Sequence, residues 1–186
     1  VRIVEGDATN VKITTAGDLD AARGRGAQTM RAGTGYDLHR LVEGRPLILG
    51  GVDVPCERGA LGHSDADVVC HAVTDAILGA AALGDIGRHF PDTDPAWKGA
   101  SSIHLLRRAA ALVREAGYAV VNVDVVIVLE RPKVAPFIAR IREGVAAALD
   151  IPPGAVSVKG KTNEGVDAVG RGEAIAAHAV ALLSQR

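Results

Sequence analysis

Three residues of zinc-ligand type raise the first chemical question in this chain. Asp37 and His39 stand two apart in Gly35-Tyr36-Asp37-Leu38-His39, and His71 closes the stretch His63-Ser64-Asp65-Ala66-Asp67-Val68-Val69-Cys70-His71. On a strand, an i, i+2 spacing points both side chains to one face. His71 lies in an apolar, alanine-rich run that reads as a helix, where Asp67, His71 and Asp75 share a stripe at i, i+4 and i+8. A strand pair meeting a helical histidine places one carboxylate and two imidazoles around an ion. The open fourth position is the pattern of a catalytic rather than a structural zinc site. Alone the pattern is thin, because an Asp-x-His pair arises by chance and most histidines serve as hydrogen-bonded core or surface residues.

Further clusters carry complementary chemistry. Gly84-Asp85-Ile86-Gly87, followed by Phe90-Pro91-Asp92-Thr93-Asp94-Pro95, joins permissive backbone to carboxylates that accept from ribose hydroxyls. The plain alternative is an acidic turn capped by its own aspartates. Lys159-Gly160-Lys161-Thr162-Asn163-Glu164 follows a strand. Its lysines and threonine suit phosphates while Glu164 suits an oxygen-liking divalent ion, although a solvated hairpin tip has the same composition. In Gly170-Arg171-Gly172-Glu173 the arginine binds an anion or caps a strand end.

The elements that must position these residues follow from periodicity and punctuation. A short strand is expected at 11–14, then a helix capped by Thr15 with Asp18 three residues on. A small-residue linker covers 24–29, and the main domain begins at Met30 with a strand over 31–39. Gly50 and Gly51 between two apolar runs mark a two-residue hairpin. Residues 67–83 read as a helix closed by Gly84, and 85–99 as an ordered loop. Ser102 caps a second helix to residue 116, closed by Gly117. The β-branched run 120–129 is a buried strand whose Asn122 and Asp124 turn one face toward something polar. Pro136 opens a third helix, broken at Pro152-Pro153-Gly154. A strand follows at 156–159. The run 173–183 is ambiguous, alanine favouring helix and alternation favouring strand. Mixed in this order, the elements predict a sheet covered by helices on one face.

With 186 residues, 48% of them hydrophobic, the chain can bury a full core. A net charge of -1 and 3% aromatics speak against nucleic acid and anionic membrane as partners. Cys56 and Cys70 are too few for a disulfide framework, so a reducing, cytoplasmic compartment is the default. The longest apolar stretch, 68–83, is interrupted by His71, Thr74 and Asp75, which excludes a membrane span there. No secretory signal is read at the start.

Taken in order and spacing, these motifs and Arg131-Pro132-Lys133 resemble the 2-C-methyl-D-erythritol 2,4-cyclodiphosphate synthase family over residues 31–183. The resemblance implies an α+β fold with a mixed four- to five-stranded sheet, helices on one face, and a homotrimer with sheets around the threefold axis and active sites between subunits. It implies conversion of 4-diphosphocytidyl-2-C-methyl-D-erythritol 2-phosphate to the cyclic diphosphate with release of CMP, in non-mevalonate isoprenoid biosynthesis. By position, Asp37, His39 and His71 hold zinc, and Glu164 helps hold a magnesium or manganese ion. His63 and Thr162 match the positions that stabilise the transition state. Ser64, Asp85, Ile86, Gly87, Phe90, Pro91, Asp92, Thr93 and Asp94 match the substrate-binding segments. The loop of Leu129, Arg131, Pro132, Lys133, Val134 and Ala135 matches the one that recognises cytosine, and Lys161, Asn163, Ala168 and Arg171 complete the set. Two positions depart: Asp167 stands where the family typically has glycine, and Ala168 where it has a bulky apolar residue. Both border the axial channel proposed to take isoprenoid diphosphates in that family.

Residues 1–29 resemble the C-terminal end of the methylerythritol phosphate cytidylyltransferase, through Val4-Glu5-Gly6-Asp7-Ala8-Thr9-Asn10-Val11-Lys12-Ile13-Thr14 and then Asp18-Leu19. The expectation is a remnant of a bifunctional fusion without cytidylyl transfer. Two other readings compete: a zinc-dependent phosphohydrolase using water in the open position, and a metal-stabilised nucleotide-binding module.

Overall fold

The computed structural model describes residues 12–19 and 29–186. The start of the expected first strand, the cytidylyltransferase-like residues before Lys12 and most of the linker at 24–29 lie outside the described residues. Residues 12–14 form no strand, but the expected cap is present: Thr15 Oγ accepts from Asp18 N–H, and Asp18 accepts from Thr15 N–H.

From Met30 onward the elements are β1 (Met30–Glu43), β2 (Leu47–Leu49), β3 (Val52–Val54), β4 (Arg58–Ala60), α1 (Val68–Ala80) and the single turn α2 (Ile86–His89). Then come α3 (Ser102–Glu115), β5 (Tyr118–Val128), α4 (Ile138–Leu149), β6 (Val156–Lys161), the single turn α5 (Asp167–Gly170) and β7 (Ala174–Gln185). Five strands form one mixed sheet in the order β4-β1-β7-β5-β6, with β2 and β3 as a separate hairpin. Only β5 and β6 pair in parallel. Because β7 runs against both β1 and β5, those two strands and β6 all point the same way.

The ambiguous C-terminal run is strand β7. Small alanines at 177, 179 and 181 alternate into the core, while His178 and Val180 point out, so period two overrides alanine's helical preference. Helices α1, α3 and α4 cover one face of the sheet. On the uncovered face Tyr36, Leu38 and Val180 are exposed, and the Tyr36 and His178 rings lie 4.7 Å apart. The polar face expected of β5 is here: Asp124 pairs with Lys159 of β6 at 2.5 Å, which holds its carboxyl below the usual range. Among the described residues no helix is long and apolar enough to cross a membrane.

Several boundaries differ from expectation for local reasons. Helix α1 ends at Ala80, short of residue 83, because Ala82 adopts φ +58 and Leu83 N–H bonds back to Leu78 C=O. The loop at 85–99 contains α2 and a 3-10 turn at Pro95–Trp97. Ser102 does not cap α3; Ser101 holds that position without a side-chain bond, and Ser102 is the first helical residue, fully buried.

Helix α1 lies directly on the backbone of β1. A Cβ at Gly33 would strike the Ala76 carbonyl and Ala80 nitrogen, and one at Gly35 the Ala72 carbonyl. The facing residues Ala72, Ala76 and Ala80 repeat every four positions, so one row of minimal side chains meets another. Asp67 fixes the start of α1: its carboxylate accepts from Val69 and Cys70 N–H in the first turn and from Gly50 and Gly51 N–H in the β2–β3 turn. Gly35→Ala should destabilise the fold by about 2–3 kcal/mol, the upper end of overpacking, because backbone faces the new methyl and cannot rotate away. Denaturant unfolding measures it, and an unchanged midpoint would contradict the close approach.

Candidate active site

The same contact brings the three ligand-type residues together. Gly35 lets α1 sit low; Asp37 and His39, next on that face of β1, then reach His71, which precedes Ala72 on the helix. Asp37 Oδ2 is 3.0 Å from His39 Nε2 and 2.8 Å from His71 Nδ1, and the two nitrogens are 3.3 Å apart. Among the described residues this is the group of three metal-ligand side chains that converges.

The donor set fits a metal ion. Tetrahedral zinc with bonds of about 2.0–2.1 Å spaces its ligands by roughly 3.3 Å, close to the observed triangle. Protons fit worse, since placing one on each nitrogen sets two cationic rings edge to edge over one oxygen. Burial alone would raise the pKa of Asp37, but the hydrogen bonds and charges of His39 and His71 outweigh it and hold the carboxyl well below the usual range. Burial alone would lower the pKa of His71; Asp37, with Asp67 and Asp65 behind it, outweighs that and raises it.

His71 turns its other nitrogen toward two serines. Nε2 lies 2.9 Å from Ser102 Oγ and 3.2 Å from Ser64 Oγ. Asp65 takes both polar hydrogens of Ser102, N–H at 3.0 Å and the hydroxyl at shorter range. Ser102, His71 and Asp37 thus mimic the order of a hydrolytic triad, yet Ser102 is fully buried and its proton is committed to Asp65, so it is no nucleophile. The loop carrying His63 and Ser64 is held by Arg45, whose guanidinium donates to the carbonyls of Ala60, Gly62 and Ser64.

The metal triangle opens into a cleft of about 400 Å³ that holds His39, His63, Ser64 and His71 on one side and Ile86, Gly87, Phe90, Pro91 and Asp92 on the other. Asp75, half-buried on α1, accepts from Ile86 N–H at 2.7 Å and so ties this second wall to the helix that carries His71. Asp85, Thr93 and Asp94 do not line the cleft; Asp85 and Asp94 cap α2 and the 3-10 turn.

A second cleft, of about 370 Å³, is lined by Leu129, Lys133, Val134, Ala135, Lys161, Thr162 and Glu164. Thr162 Oγ donates to Glu164 at 2.6 Å. An adjoining groove adds Arg131, Pro132 and Arg171, the last gripped in a fork by Glu173. Asn163 and Ala168 instead face the uncovered side of the sheet with Tyr36 and His178. The strand register sets the separation of the two clefts. Asp37 pairs with Ala177, Ala177 with Ile127, and Ile127 with Gly160, so triangle and tip stand at the same end of the sheet. They are three strand spacings, about 14 Å, apart.

The departure at Asp167 has a local explanation. This residue has φ +61, a conformation that favours glycine, and its carboxylate offsets the strain by accepting from Val169 and Gly170 N–H. Sequence reasoning assigned no role to Asp65 and read Ser102 as a cap; the only available signal was Asp65 lying inside the His63 to His71 stretch. Trp97 and Leu105, which also line the metal-side cleft, carried no signal beyond apolarity.

The sequence profile of the YgbB family matches residues 30–184. A 2-C-methyl-D-erythritol 2,4-cyclodiphosphate synthase of Chromobacterium violaceum is 63% identical over 155 residues, covering 83% of this chain and 98% of its own. This chain belongs to the YgbB family. A family member of Symbiobacterium thermophilum with the same synthase name is 58% identical over 84% of this chain and 100% of its own. The bifunctional enzyme IspD/IspF of Desulforudis audaxviator is 55% identical over 98% of this chain, which spans only 47% of that relative. Among solved structures, bifunctional IspDF from Campylobacter jejuni superposes with a TM-score of 0.83 at 32% identity, over 96% of this chain and 56% of its own. A 2C-methyl-D-erythritol-2,4-cyclodiphosphate synthase in a CDP-bound form gives 0.76 at 42% identity, over 82% and 99%.

Two outcomes test the metal centre. His71→Ala should stay folded and lose its bound zinc, as measured by circular dichroism and metal analysis. Protons compete for the same imidazoles, whose ordinary pKa is about 6.5. Because the pKa of His71 is raised in the folded chain, this group favours the metal-free fold at acid pH and stops doing so as pH rises through its folded value. Zinc affinity should therefore already be declining on the alkaline side of 6.5 and fall further below it. Titration against a chelator at several pH values measures this, and a flat profile down to pH 5 would contradict it.

Proposed function

We propose that this chain converts 4-diphosphocytidyl-2-C-methyl-D-erythritol 2-phosphate to 2-C-methyl-D-erythritol 2,4-cyclodiphosphate and CMP. An oxygen of the substrate's 2-phosphate attacks its β-phosphorus, and the bond from that phosphorus to the CMP oxygen breaks. The nucleophile belongs to the substrate, so the protein's task is folding the chain back on itself and stabilising charge, and such orientation is worth roughly 7–11 kcal/mol. The observation that carries the reading is the metal triangle opening onto His63 and Ser64 in a cleft walled by the Ile86 to Asp92 segment.

In this reading Asp37, His39 and His71 hold zinc, which supplies Lewis acidity toward a phosphate oxygen and a template for the diphosphate. Glu164 helps hold magnesium or manganese. Ser64 and His63 contact the phosphorylated end, and His63 and Thr162 stabilise the transition state. The amides at Ile86 and Gly87, steadied by Asp75, hold the methylerythritol segment, and the 129–135 loop holds cytosine. Water-based phosphohydrolysis uses the triangle but has no need of the second cleft.

A single chain keeps its two clefts about 14 Å apart along the sheet. This supports a homotrimer in which the metal side of one subunit meets the cytidine side of the next, with the exposed Tyr36, Leu38 and Val180 around the axis. Residues 1–29 belong to the end of a cytidylyltransferase domain, and 30–186 form the synthase domain. Support comes from the bifunctional relative, whose match runs over 98% of this chain. The two cysteines are free, in keeping with a reducing, cytoplasmic setting.

Phosphorus NMR of turnover should show the cyclic diphosphate with CMP, and the signal should vanish with chelator; a linear phosphate product would sink the synthase reading. Chains carrying His71→Ala and chains carrying Glu164→Gln should each be inactive alone. Co-expressed, they should regain about a quarter of wild-type turnover, the share of interfaces joining two intact halves. No recovery in mixed oligomers would place each site within one subunit.

A further inference from the structure

Ser102 sits behind the metal triangle, out of reach of any substrate, and Asp65 takes both of its hydrogens. A carboxylate only accepts, so the Ser102 hydroxyl proton points at Asp65 and its oxygen offers lone pairs alone toward His71 Nε2, 2.9 Å away. His71 must then donate from Nε2. In the neutral ring this leaves the lone pair on Nδ1, the atom that faces Asp37 and His39. We propose that Ser102 and Asp65 are positioning residues: a carboxylate–hydroxyl–imidazole relay that locks His71 in the Nε2–H tautomer and aims Nδ1 at the metal.

The relay rests on the reading that Asp37, His39 and His71 hold a metal. Its parts come from three separate segments. Asp65 lies in the loop before α1, anchored by its own N–H to Ala100 C=O. Ser102 opens α3, whose cap residue Ser101 makes no side-chain bond. His71 lies on α1. A purely structural role for Asp65, holding the start of α3, would require the bond to Ser102 N–H but not the one to its hydroxyl.

The relay also sorts the two serines. Ser64 Oγ accepts from Ala66 N–H and lies 3.2 Å from both His71 Nε2 and Ser102 Oγ. With the Nε2 hydrogen directed to the nearer Ser102, Ser64 receives no proton from the ring. Its own hydroxyl hydrogen is left for the cleft that it lines. Partners of this kind behind a metal-bound histidine tune affinity by roughly 10- to 100-fold.

The test measures zinc affinity by competition with a chromophoric chelator, alongside thermal melting of the metal-free chains. Ser102→Ala should weaken zinc binding about 10- to 100-fold while the metal-free chain melts close to wild type. Asp65→Asn should weaken it as well, and the double variant should lose no more than the weaker-binding single variant, since both changes break one chain of bonds. Nitrogen-15 shifts of the His71 ring should report hydrogen on Nε2 in the wild type and a mixture of tautomers in Ser102→Ala. Wild-type affinity in a folded Ser102→Ala, additive losses, or an unchanged tautomer would each overturn the relay, and Ser102→Ala decides alone if Asp65→Asn does not fold. Wild-type protein that binds no zinc, or His71→Ala that binds it undiminished, would instead remove the metal centre itself.

Discussion

The structure depends on one packing constraint, the descent of α1 onto the bare backbone of β1. Gly33 and Gly35 leave no Cβ to hold the helix off, and Ala72, Ala76 and Ala80 present the smallest row that still buries apolar surface. Ordinary side chains at those positions would lift the helix by ångströms, more than metal coordination tolerates. The triangle of Asp37, His39 and His71 is therefore a consequence of packing. Asp67 sets the remaining freedom, the helix's position along its axis, by tying its first turn to the β2–β3 hairpin through four amides.

Chemistry-bearing residues gather at one end of the sheet because β1, β5 and β6 point the same way. The loops leaving β5 and β6 carry Lys133, Thr162 and Glu164, and β1 carries the metal-side pair at the same level. The antiparallel β7 runs between β1 and β5 and contributes only small residues to the core there, so it acts as a spacer between the two clefts. The spacing set by two intervening strands is also what a substrate must bridge if one subunit serves both ends, and it makes the uncovered, partly apolar face the natural place for copies to meet.

Much of this was legible before any coordinates. The i, i+2 pair on β1, the helical His71, the Gly50-Gly51 hairpin and the acidic turn after α1 each combine a residue type with a spacing that few structures satisfy. What escaped depends on contacts remote in sequence. Ser102 looks like a helix cap because serine before an apolar period usually is one, and only the fold shows Asp65, thirty-seven residues earlier, taking both its hydrogens. Residues 173–183 resisted assignment because alanine-rich strands occur only where a helix approaches closely, a fact about α1 rather than about β7. Asp75 and Asp67 look alike on the helical stripe, yet one caps α1 and the other holds the Ile86 amide, roles set by the loops that return to them.

Strand β1 carries a reading frame of its own. Its odd-numbered residues from Gly33 to His39 do all the work toward α1, while Tyr36 and Leu38 between them look out on the uncovered face. Insertion or loss of a single residue between Gly35 and Asp37 would exchange the two sets, sending the carboxylate and imidazole outward and a tyrosine into the helix. Length changes in this strand are therefore tolerable only in steps of two, a quantised limit on how such a chain can drift while keeping its metal ligands.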